Sequence, residues 1–421
     1  MRLLLVGAFP YPHHQGSQVY FQEQAIALRS AGAEVELLTY GRADEGPPED
    51  PERWRALDGF VHHTLPPAAR PRSTASGPSI SKVRADLEIR HRLNDAIASK
   101  FSGNASFDAM LAHHFESCVI SSTRRVIEQP PRIPVVYCVH TLLGHELSTY
   151  EKLFNFRTLR NDAVSGGAVS HRVKRRVDGV GRRLDRWAAR RCDGWIALTQ
   201  SAARVMETHS HGPGEIVAPP LPDPRHRFFE ESTQASLPQG AYFLYSGNLD
   251  GYQELHLLEG AARALSDRLE TPPRIVLASF DPSVADPNRR WAPGIEPRHV
   301  ASEAEMQALT AAARATIVPR LAVGGFPIKL ANSLANGTAA ITFHDREWGL
   351  EAGTNVEVAD PARPVEGLAD AIGRLSADSE RAESIGRKAR DRYEAAHRPA
   401  VTAEQTLGLI EEVRIAARGG H

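Results

Sequence analysis

The sequence predicts an α/β protein with two doubly wound, Rossmann-like domains. Short apolar runs of strand length alternate with helical patterns along almost the whole chain, as a parallel sheet covered by helices on both faces requires. The alternation restarts after a proline-rich stretch near residues 219–224. A typical domain has about 100–200 residues, so the 421 residues of this chain are enough for two.

The composition excludes several classes of protein. Hydrophobic residues make up 42% and charged residues 24% of the chain. This composition argues against a chain that is mainly disordered, collagen-like or coiled coil. The net charge of −1 gives no overall field that would attract nucleic acid, so no nucleic-acid partner is expected. No apolar run approaches the ~18 residues of a membrane span, and the chain starts like a strand. We therefore expect a cytoplasmic protein whose cysteines, Cys118, Cys138 and Cys192, are reduced thiols.

The first predicted domain covers residues 1–220. Its first strand, 2–8, is followed by a helix with Phe21, Ala25 and Leu28 on one face, capped by Ser17 and closed by Gly32. With the next apolar run this forms a βαβ unit, which implies parallel strands. The further strands are predicted at 35–40, 107–113, 134–140, 194–199 and 215–220.

The second predicted domain covers residues 221–395. Its strands are predicted at 241–247, 274–280, 315–320, 339–344 and 356–359, and its helices near 253–269, 303–314 and 328–336. Two last helices, at about 380–397 and 401–418, have no strand after them. We expect the segment 396–421 to pack back on the first domain.

Two stretches depart from this pattern. Residues 65–82 are rich in Pro, Ser and Ala without periodicity, which indicates a tolerated insertion or a functional lid. Residues 151–191 hold 12 Lys or Arg and 4 Asp or Glu. This basic segment is either a solvated helical face, a contact with an anionic membrane, or a site for a phosphorylated acceptor.

The turns after the strands are where a doubly wound sheet binds its ligands. After the first strand, Gly16 and Ser17 open a helix whose free N–H groups suit an anion. The sequence lacks GxGxxG at this turn and has no GxxxxGK[ST] motif, which argues against a nicotinamide or flavin cofactor and against a P-loop nucleotidase.

Histidines collect at the predicted strand ends. Ligand spacings such as HExxH are missing, so no metal site is predicted. Hydrogen bonding to a hydroxylated ligand or a phosphate is one interpretation, and a structural role is the other. These histidines are His13, His14, His113, His114 and His140.

The most informative stretch is VPRLAVGGFPIKLANSLANG, residues 318–337. The pair Gly324 and Gly325 leads into a helix that begins at Pro327, a residue suited to the first helical turn. Lys329 in that turn opposes the helix dipole, which costs stability unless an anion faces it. The pattern therefore predicts a phosphate cradle.

This stretch resembles the donor site of family 4 glycosyltransferases, whose pattern is roughly PSxxEGFGxxxLEAMAxGxPVV. Pro319, Gly325, Phe326, Leu330, Ala335 and Gly337 fall in register. Four further segments are similar to the family in the same order: the opening PYPHHQGSQVYFQEQ, YCVHTL, RRCDGWIALTQSA and FLYSGNLDGYQELHLLEGAA.

The resemblance implies a GT-B enzyme, with its two domains facing across a cleft, that moves a hexosyl group from a nucleotide-diphosphate sugar with retention of configuration. It implies no metal and no other cofactor. His140 corresponds to the family histidine that reaches the donor sugar, so we assign it and Lys329 to catalysis. The donor-binding residues are then Gly16, Ser17, Gly247, Asn248, Gly324, Gly325, Phe326, Pro327, Ile328 and Asn332. The acceptor side holds His13, His14, His114 and Glu116.

The departures from the family concern charge. The two glutamates at E-x7-E spacing fall on Gly324 and Asn332, and the Arg and Lys that grip the diphosphate fall on Asn248 and about Gly251 or Tyr252. A buried diphosphate needs charge-assisted contacts. We therefore expect Lys329 and the N–H groups of the glycine loop to take over this task, and Asn332 to bind a ribose hydroxyl.

Two other functions remain compatible with these departures. A non-catalytic GT-B module would bind a sugar nucleotide or a protein partner without transfer. A sugar-nucleotide epimerase on a similar frame would need an acid and a base in the cleft, and the sequence shows no convincing carboxylate pair. Glu116 and Glu146 follow strands, but each is also a typical helix-start carboxylate.

Overall fold

The computed structural model divides the chain into two units, Met1–Ala218 together with Thr402–His421, and Pro219–Val401. The chain therefore changes unit near the predicted linker and again inside the last helix. The structure describes residues 1–12, 15–41, 58–71, 85–94, 106–123, 132–149, 171–224 and 237–419.

The first unit is a seven-stranded sheet with the order β3-β2-β1-β4-β5-β6-β7, in which every pair is parallel. Its strands are β1 Arg2–Gly7, β2 Glu34–Thr39, β3 Val61–Thr64, β4 Ala109–His113, β5 Val135–Val139, β6 Gly194–Ala197 and β7 Gly214–Ile216. Its helices are α1 Gly16–Ser30, α2 His114–Ser122, α3 Leu143–Thr149, α4 His171–Ala189 and α5 Gln200–His209, and residues 85–94 are also helical.

The second unit is a six-stranded sheet with the order β10-β9-β8-β11-β12-β13, again with parallel pairs. Its strands are β8 Phe243–Ser246, β9 Ile275–Ser279, β10 Ile295–His299, β11 Ala315–Ile317, β12 Ala339–Thr342 and β13 Glu357–Val358. The helices are α6 Leu255–Arg268, α7 Glu303–Ala312, α8 Ile328–Asn336, α9 Pro364–Ala377, α10 Ser379–Ala396 and α11 Pro399–Gly419, of which α11 continues into the first unit.

These sheets confirm the predicted fold class of two doubly wound, Rossmann-like domains. The strands form because their apolar runs are buried on both faces, as in β1, where all four residues from Leu3 to Val6 have no exposed surface. The strand order reverses direction between β1 and β4 in one sheet and between β8 and β11 in the other. Ligands of doubly wound sheets bind at such points, outside the carboxyl ends of the strands.

Several described elements were not predicted with their bounds, and β3, β10 and α9 are three of them. β3 and β10 are edge strands with polar sequences, VHHT and IEPRH, and β10 contains Pro297, which is tolerated at a sheet edge. Neither has an apolar run. Helix α9 buries Leu368, Ile372 and Leu375, so its helical pattern was present in the sequence and was overlooked.

The predicted linker is held firmly on the second unit. Leu221 donates a backbone hydrogen bond to the carbonyl of His397 and accepts one from the hydroxyl of Tyr393. Asp223 pairs with the guanidinium of Arg390 on α10. The segment that joins the units is thus fixed to α10.

The last helix lies against the first unit from Thr402 onward. Arg414 of α11 forms an ion pair of 2.7 Å with Asp108, next to β4. A Cβ atom added to Gly194 of β6 would come within 2.3 Å of the side chain of Val413. These contacts tie the end of the chain to the strands of the first sheet.

Several further expectations can be compared with the structure. All three cysteines are unpaired and buried. In the part of the chain that the structure describes, no helix is long and apolar enough to cross a membrane. The expected loop at 65–82 begins with a described segment up to residue 71, and residues 72–84 lie outside the described residues. So do residues 151–170 of the basic segment.

Candidate functional site

The segment between β11 and α8 lies at the point where the second sheet reverses its strand order. It contains Gly324 and Gly325, both only partly buried. The guanidinium of Arg320 donates a hydrogen bond of 2.6 Å to the carbonyl of Gly325, and its central carbon lies 3.6 Å from the position that a Cβ of Gly324 would take. An added Cβ at Gly324 would therefore be in ordinary van der Waals contact with Arg320.

Side chains from two neighbouring loops hold this segment in place. Glu254, just before α6, adopts a left-handed backbone conformation with φ of 53°, which costs free energy for a residue other than glycine. Its carboxylate accepts hydrogen bonds from the N–H groups of Leu321 at 2.6 Å and Ala322 at 3.4 Å. His344, after β12, lies 2.7 Å from the carbonyl of Leu321 through Nε2, so Nε2 carries the proton. The segment is thus fixed in the ligand-free protein.

Lys329 does not extend into solvent from the start of α8. Its ammonium donates a hydrogen bond of 2.8 Å to the side-chain carbonyl of Gln253 and lies 4.0 Å from the centre of the Tyr245 ring. A Cβ at Gly247 would come 3.0 Å from the ammonium, and Gly247 also has a positive φ of 138°. Gly247 is therefore needed both for the turn after β8 and for the space that Lys329 occupies.

The positive charge of Lys329 has no carboxylate beside it among the described residues. Burial, together with repulsion from the Arg320 guanidinium, holds the pKa of its ammonium well below the usual value. No carboxylate forms an ion pair with Lys329 among the residues that the structure describes. An anionic ligand would remove this electrostatic cost.

The start of α8 supplies N–H groups at the same place. The first backbone bonds of the helix come from Leu330 and Ala331 to the carbonyl of Pro327, so the N–H groups of Ile328 and Lys329 point out of the helix end without a backbone partner. The prediction that the helix begins at Pro327 was off by one residue, because Pro327 has an extended conformation and precedes the first helical residue.

Three other predicted donor-site residues have different surroundings. Phe326 is buried, with its ring 5.1 Å from that of His397 and 6.3 Å from that of Trp348, so only its backbone can reach a ligand. The side chain of Asn248 bonds Asp250, Tyr252 and Gln253 within its own loop. Asn332 is half-buried, and its side chain has no hydrogen bond to a described residue.

In the first unit, three histidines meet at the ends of β4 and β5. His113 and His140 are buried and share a hydrogen bond of 2.8 Å between Nδ1 of His113 and Nε2 of His140. The ring of His114 stacks on His140, with centroids 4.2 Å apart and planes at 28°. His114 has a left-handed φ of 69°, a conformation that histidine adopts more readily than most residues. The backbone thus bends to place His114 on His140.

Two of these histidines, His113 and His140, are neutral at pH 7. Burial, followed by repulsion from the neighbouring imidazoles, holds the pKa of His113 and of His140 well below the usual value. Within the described residues, no group of three His, Cys, Asp or Glu side chains is arranged to hold a metal ion. Neutral imidazoles can donate or accept a hydrogen bond to a sugar hydroxyl.

The remaining predictions for the first unit have mixed outcomes. Ser17 is not the helix cap, because α1 begins at Gly16 after an extended Gln15, and no side chain caps it. Glu116 lies in the first turn of α2, close enough to Tyr40 and Tyr137 to contribute to their raised pKa, which burial mainly causes. His13 and His14 lie outside the described residues.

The described part of the basic segment is a helix with one charged face. Five arginines at and just after the end of α4 are exposed, and none forms an ion pair within the described residues. Val180 on the same helix is 51% exposed. On the opposite side Asp185 is buried and accepts the N–H groups of Leu143 and Gly144. The exposed arginines are Arg182, Arg183, Arg186, Arg190 and Arg191.

Several residues that build the site escaped the sequence analysis. Arg320 had a visible signal, since it directly follows a strand and precedes the glycine pair. Glu254, Gln253 and Tyr245 had none, because their roles depend on contacts between loops that are far apart in sequence. Neither a left-handed glutamate nor a lysine that turns back on another loop can be recognised from local pattern.

Comparison with known proteins agrees with this architecture. A family model described as "Glycosyl transferase 4-like domain" matches residues 15–222, and one described as "Glycosyl transferase-like" matches residues 261–408. No curated protein matches in a direct sequence comparison.

Solved structures show the same fold at low sequence identity. Sucrose-phosphate synthase from Thermosynechococcus elongatus is similar with a TM-score of 0.69, 16% identity and 99% coverage of both chains. HepE from Anabaena, in complex with UDP and glucose, is similar with a TM-score of 0.65, 13% identity and coverage of 98% of this chain and 99% of that chain. A glycosyltransferase from Rickettsia africae ESF-5 gives 0.60, 10% and 98% of each.

The two family models and the two parallel sheets together support the family and the GT-B fold that the motifs implied. Gly324 and Asn332 stand where the usual pattern has its paired glutamates. The chain therefore belongs to the family 4 glycosyltransferases of the GT-B type, as a variant without those glutamates.

Proposed function

We propose that this glycosyltransferase uses a nucleotide-diphosphate sugar and binds the diphosphate at the segment from Gly324 to Lys329. The observation that carries the proposal is Lys329, a half-buried cation without a carboxylate partner among the described residues. The N–H groups at the start of α8 lie in the same turn, and Arg320 contacts the glycine pair. A diphosphate supplies the negative charge that this arrangement lacks.

The charges of Lys329 and Arg320 support transfer without a metal ion. When the glycosidic bond to the diphosphate breaks, negative charge develops on the leaving oxygen. Cations and N–H groups held in place beforehand stabilise that charge without reorganising. The network around Leu321 keeps the loop in position before the ligand arrives. No further cofactor is required by this scheme.

Retention of configuration and the role of His140 are proposed from the family resemblance. The bond between the sugar carbon and the diphosphate oxygen breaks, the acceptor hydroxyl oxygen forms the new bond to that carbon, and its proton passes to the departing diphosphate. The contribution of the protein is to position the reactants and stabilise charge. The neutral imidazole of His140 would orient the transferred sugar by a hydrogen bond. Gly16, Ser17, His114 and Glu116 stay predicted contacts.

The first test is a binding and turnover screen with UDP, GDP and ADP sugars. UDP-sugars are tested first, because the HepE structure holds UDP and glucose. Isothermal titration would measure donor affinity, and release of the nucleoside diphosphate with added acceptor extracts would measure transfer. If none of these donors binds, the proposal is wrong. Tight binding without transfer to any acceptor would support the non-catalytic alternative.

The basic face of α4 favours a location of the enzyme at an anionic membrane, and we propose that this is the cytoplasmic face of that membrane. Arg183, Arg186 and Arg190 are exposed beside Val180. Each basic residue near an anionic surface contributes about 1 kcal/mol, and an exposed apolar residue adds to the contact. A lipid-linked acceptor would then be presented at the same surface.

Liposome co-sedimentation tests this location. We expect binding to vesicles with anionic lipid, weakening as salt rises, and loss of binding when Arg183, Arg186 and Arg190 are changed to Glu. A matched control changes exposed Arg387 and Lys388 of α10 to Glu. Binding that does not depend on anionic lipid would exclude the membrane contact. Reduced activity of the triple variant on a soluble phosphorylated acceptor would instead favour a site for such an acceptor.

A further inference from the structure

The hydrogen bond between His113 and His140 leaves each imidazole with one other ring nitrogen. Nε2 of His113 is buried and has no hydrogen-bond partner among the described residues. The His113 ring packs against the rings of Tyr20 and Phe21, whose centroids lie 5.4 Å and 4.8 Å from its own. Nδ1 of His140 makes no hydrogen bond to a described residue, so it is the nitrogen left for a ligand.

Two tautomer pairs can form the shared bond. In one, His140 donates from Nε2 to Nδ1 of His113, and His113 then carries its own proton on buried Nε2 as an unsatisfied N–H. In the other, His113 donates from Nδ1, and its buried Nε2 is a bare acceptor. Orphaned N–H donors are rarer in protein interiors than unsatisfied acceptors. The second pair is therefore favoured.

We infer that His113 is a positioning residue that holds His140 with its proton on Nδ1, so that His140 meets the transferred sugar as a hydrogen-bond donor and not as a base. The hydrogen bond made by one ring nitrogen decides which nitrogen carries the proton. With Nε2 accepting from His113, the proton of neutral His140 is on Nδ1. The identity of the ligand rests on the proposed function, whereas the tautomer is a property of the protein alone.

The other neighbours of His140 restrict the rotation of its ring. His114 stacks on one face at 4.2 Å, and Tyr20 lies edge-on with centroids 4.7 Å apart. The hydroxyl of Tyr20 accepts a hydrogen bond of 3.0 Å from Gln24, which fixes Tyr20 in turn. A ring held on its face, its edge and one nitrogen presents Nδ1 in one direction.

Nitrogen-15 NMR of histidine-labelled protein without ligand reads the tautomer directly. The ring nitrogen that bears hydrogen is distinguished from the bare one by its chemical shift and its one-bond coupling. The signals of His140 are assigned by their disappearance in His140→Gln. We expect hydrogen on Nδ1 of His140 and on Nδ1 of His113 at neutral pH. Hydrogen on Nε2 of His140 overturns the inference, whatever the enzyme turns over.

Two substitutions of His113 test the consequence for transfer. His113→Asn can place its amide N–H near the position of Nδ1 and keep the bond, whereas His113→Leu removes it. We expect His113→Leu to lower kcat about tenfold or more with little change in donor KM, because one hydrogen bond contributes to orientation, and His113→Asn to restore most of kcat. Exposed His91 of the same unit gives the control His91→Asn.

Because His113 is buried, a loss of kcat alone would not distinguish orientation from misfolding. Thermal unfolding and donor affinity of each variant are therefore measured together with kcat. Unchanged kcat in a folded His113→Leu protein, or an equal loss in His113→Asn and His113→Leu, contradicts the positioning role. If no donor is turned over at all, the proposed function fails, while the tautomer measurement still decides the inference.

Discussion

The surroundings of Lys329 disfavour the positive charge of its side chain. Its ammonium lies over the Tyr245 ring, its one hydrogen-bond partner among the described residues is the uncharged Gln253, and Arg320 repels it. A group in this position destabilises the ligand-free protein, so its presence is explained by what it binds. Replacement of Lys329 by an apolar residue should therefore weaken the binding of an anion without destabilising the ligand-free protein.

We expect Lys329→Met to weaken binding of a nucleoside diphosphate about tenfold to a hundredfold, because a charge-assisted hydrogen bond is worth about 1.5–3 kcal/mol. The thermal midpoint of the ligand-free protein should not fall, because a half-buried charge is replaced by an apolar chain of similar length. Calorimetry measures both quantities. Lys388→Met on exposed α10 is the matched control, and equal loss of affinity there would contradict the assignment.

The affinity of the protein for a nucleoside diphosphate should also depend on pH. In the free protein the pKa of Lys329 is well below its usual value, so the ammonium is lost as pH rises through that lowered pKa, and binding of an anion then requires re-protonation. We expect affinity for the diphosphate to decrease with rising pH before an ordinary lysine would titrate. Lys329→Arg, which stays charged, should lack this decrease. A pH profile of the binding constant distinguishes the two.

At the scale of elements, helices α3 and α4 approach through two glycines. A Cβ on Gly181 would lie 2.5 Å from the Cα of Gly144, which leaves no space for a side chain. Asp185 bonds the N–H groups of Leu143 and Gly144 from one turn further along α4. The charged face of α4 is positioned by this close crossing.

Substitution of neighbouring glycines in α4 should have effects of opposite sign. Gly181→Ala introduces overlap with the backbone of α3 and should lower the free energy of unfolding by about 1–3 kcal/mol. Gly179→Ala has no atom within 4 Å of the added Cβ and should raise it by about 0.5–1 kcal/mol, because alanine favours the helix. Denaturant unfolding of both variants checks this, and stabilisation by both would show that the crossing is not tight.

The loop that follows β11 depends on Glu254 of a different loop. We expect Glu254→Gly, which relieves the left-handed backbone but removes two hydrogen bonds, to speed amide exchange at Leu321 and Ala322 and to weaken donor binding. Hydrogen exchange with mass spectrometry measures the first effect locally. Glu347→Gln, elsewhere in the unit, is the control. Unchanged protection at Leu321 would show that Glu254 does not hold the loop.

At the scale of the whole molecule, a buried histidine connects the linker to the donor loop. His397 donates from Nδ1 to the carbonyl of Pro219 at 3.1 Å, and its ring contacts Phe326. Burial lowers its pKa to about 4, although the bond to Pro219 raises it in part. A histidine that must stay neutral makes the folded protein sensitive to acid.

We expect the second unit to lose stability as the pH falls from about 6.5 towards 4. The folded-state pKa is lowered, so the unfolded chain binds the proton first, and the stabilisation present above pH 6.5 is lost progressively on acidification. The contribution of His397 amounts to at most about 3 kcal/mol. His397→Gln should flatten the dependence of the unfolding midpoint on pH. An unchanged dependence would mean that His397 is protonated in the folded protein.

How much of this could be predicted differs between fold and site. The buried strands and the helices α1, α6, α7, α8, α10 and α11 were predicted within a few residues, because their periodicity is local, whereas α9 was overlooked. The edge strands β3 and β10 were missed because they bury little and carry polar residues. At the site, the glycine pair and Lys329 were found from spacing, whereas the partners Gln253, Tyr245 and Glu254 were not.

The sequence by itself determined the two-domain α/β architecture, the family, and the absence of the usual glutamates at Gly324 and Asn332. Only the tertiary structure decided how charge is arranged. It turned Lys329 towards Gln253, placed Arg320 at the glycine pair and joined His113 to His140. The physical reason is that the periods of strands and helices, 2 and 3.6 residues, are local properties of the sequence. A hydrogen bond between two loops 76 residues apart forms only because the folded sheet brings the ends of its strands together.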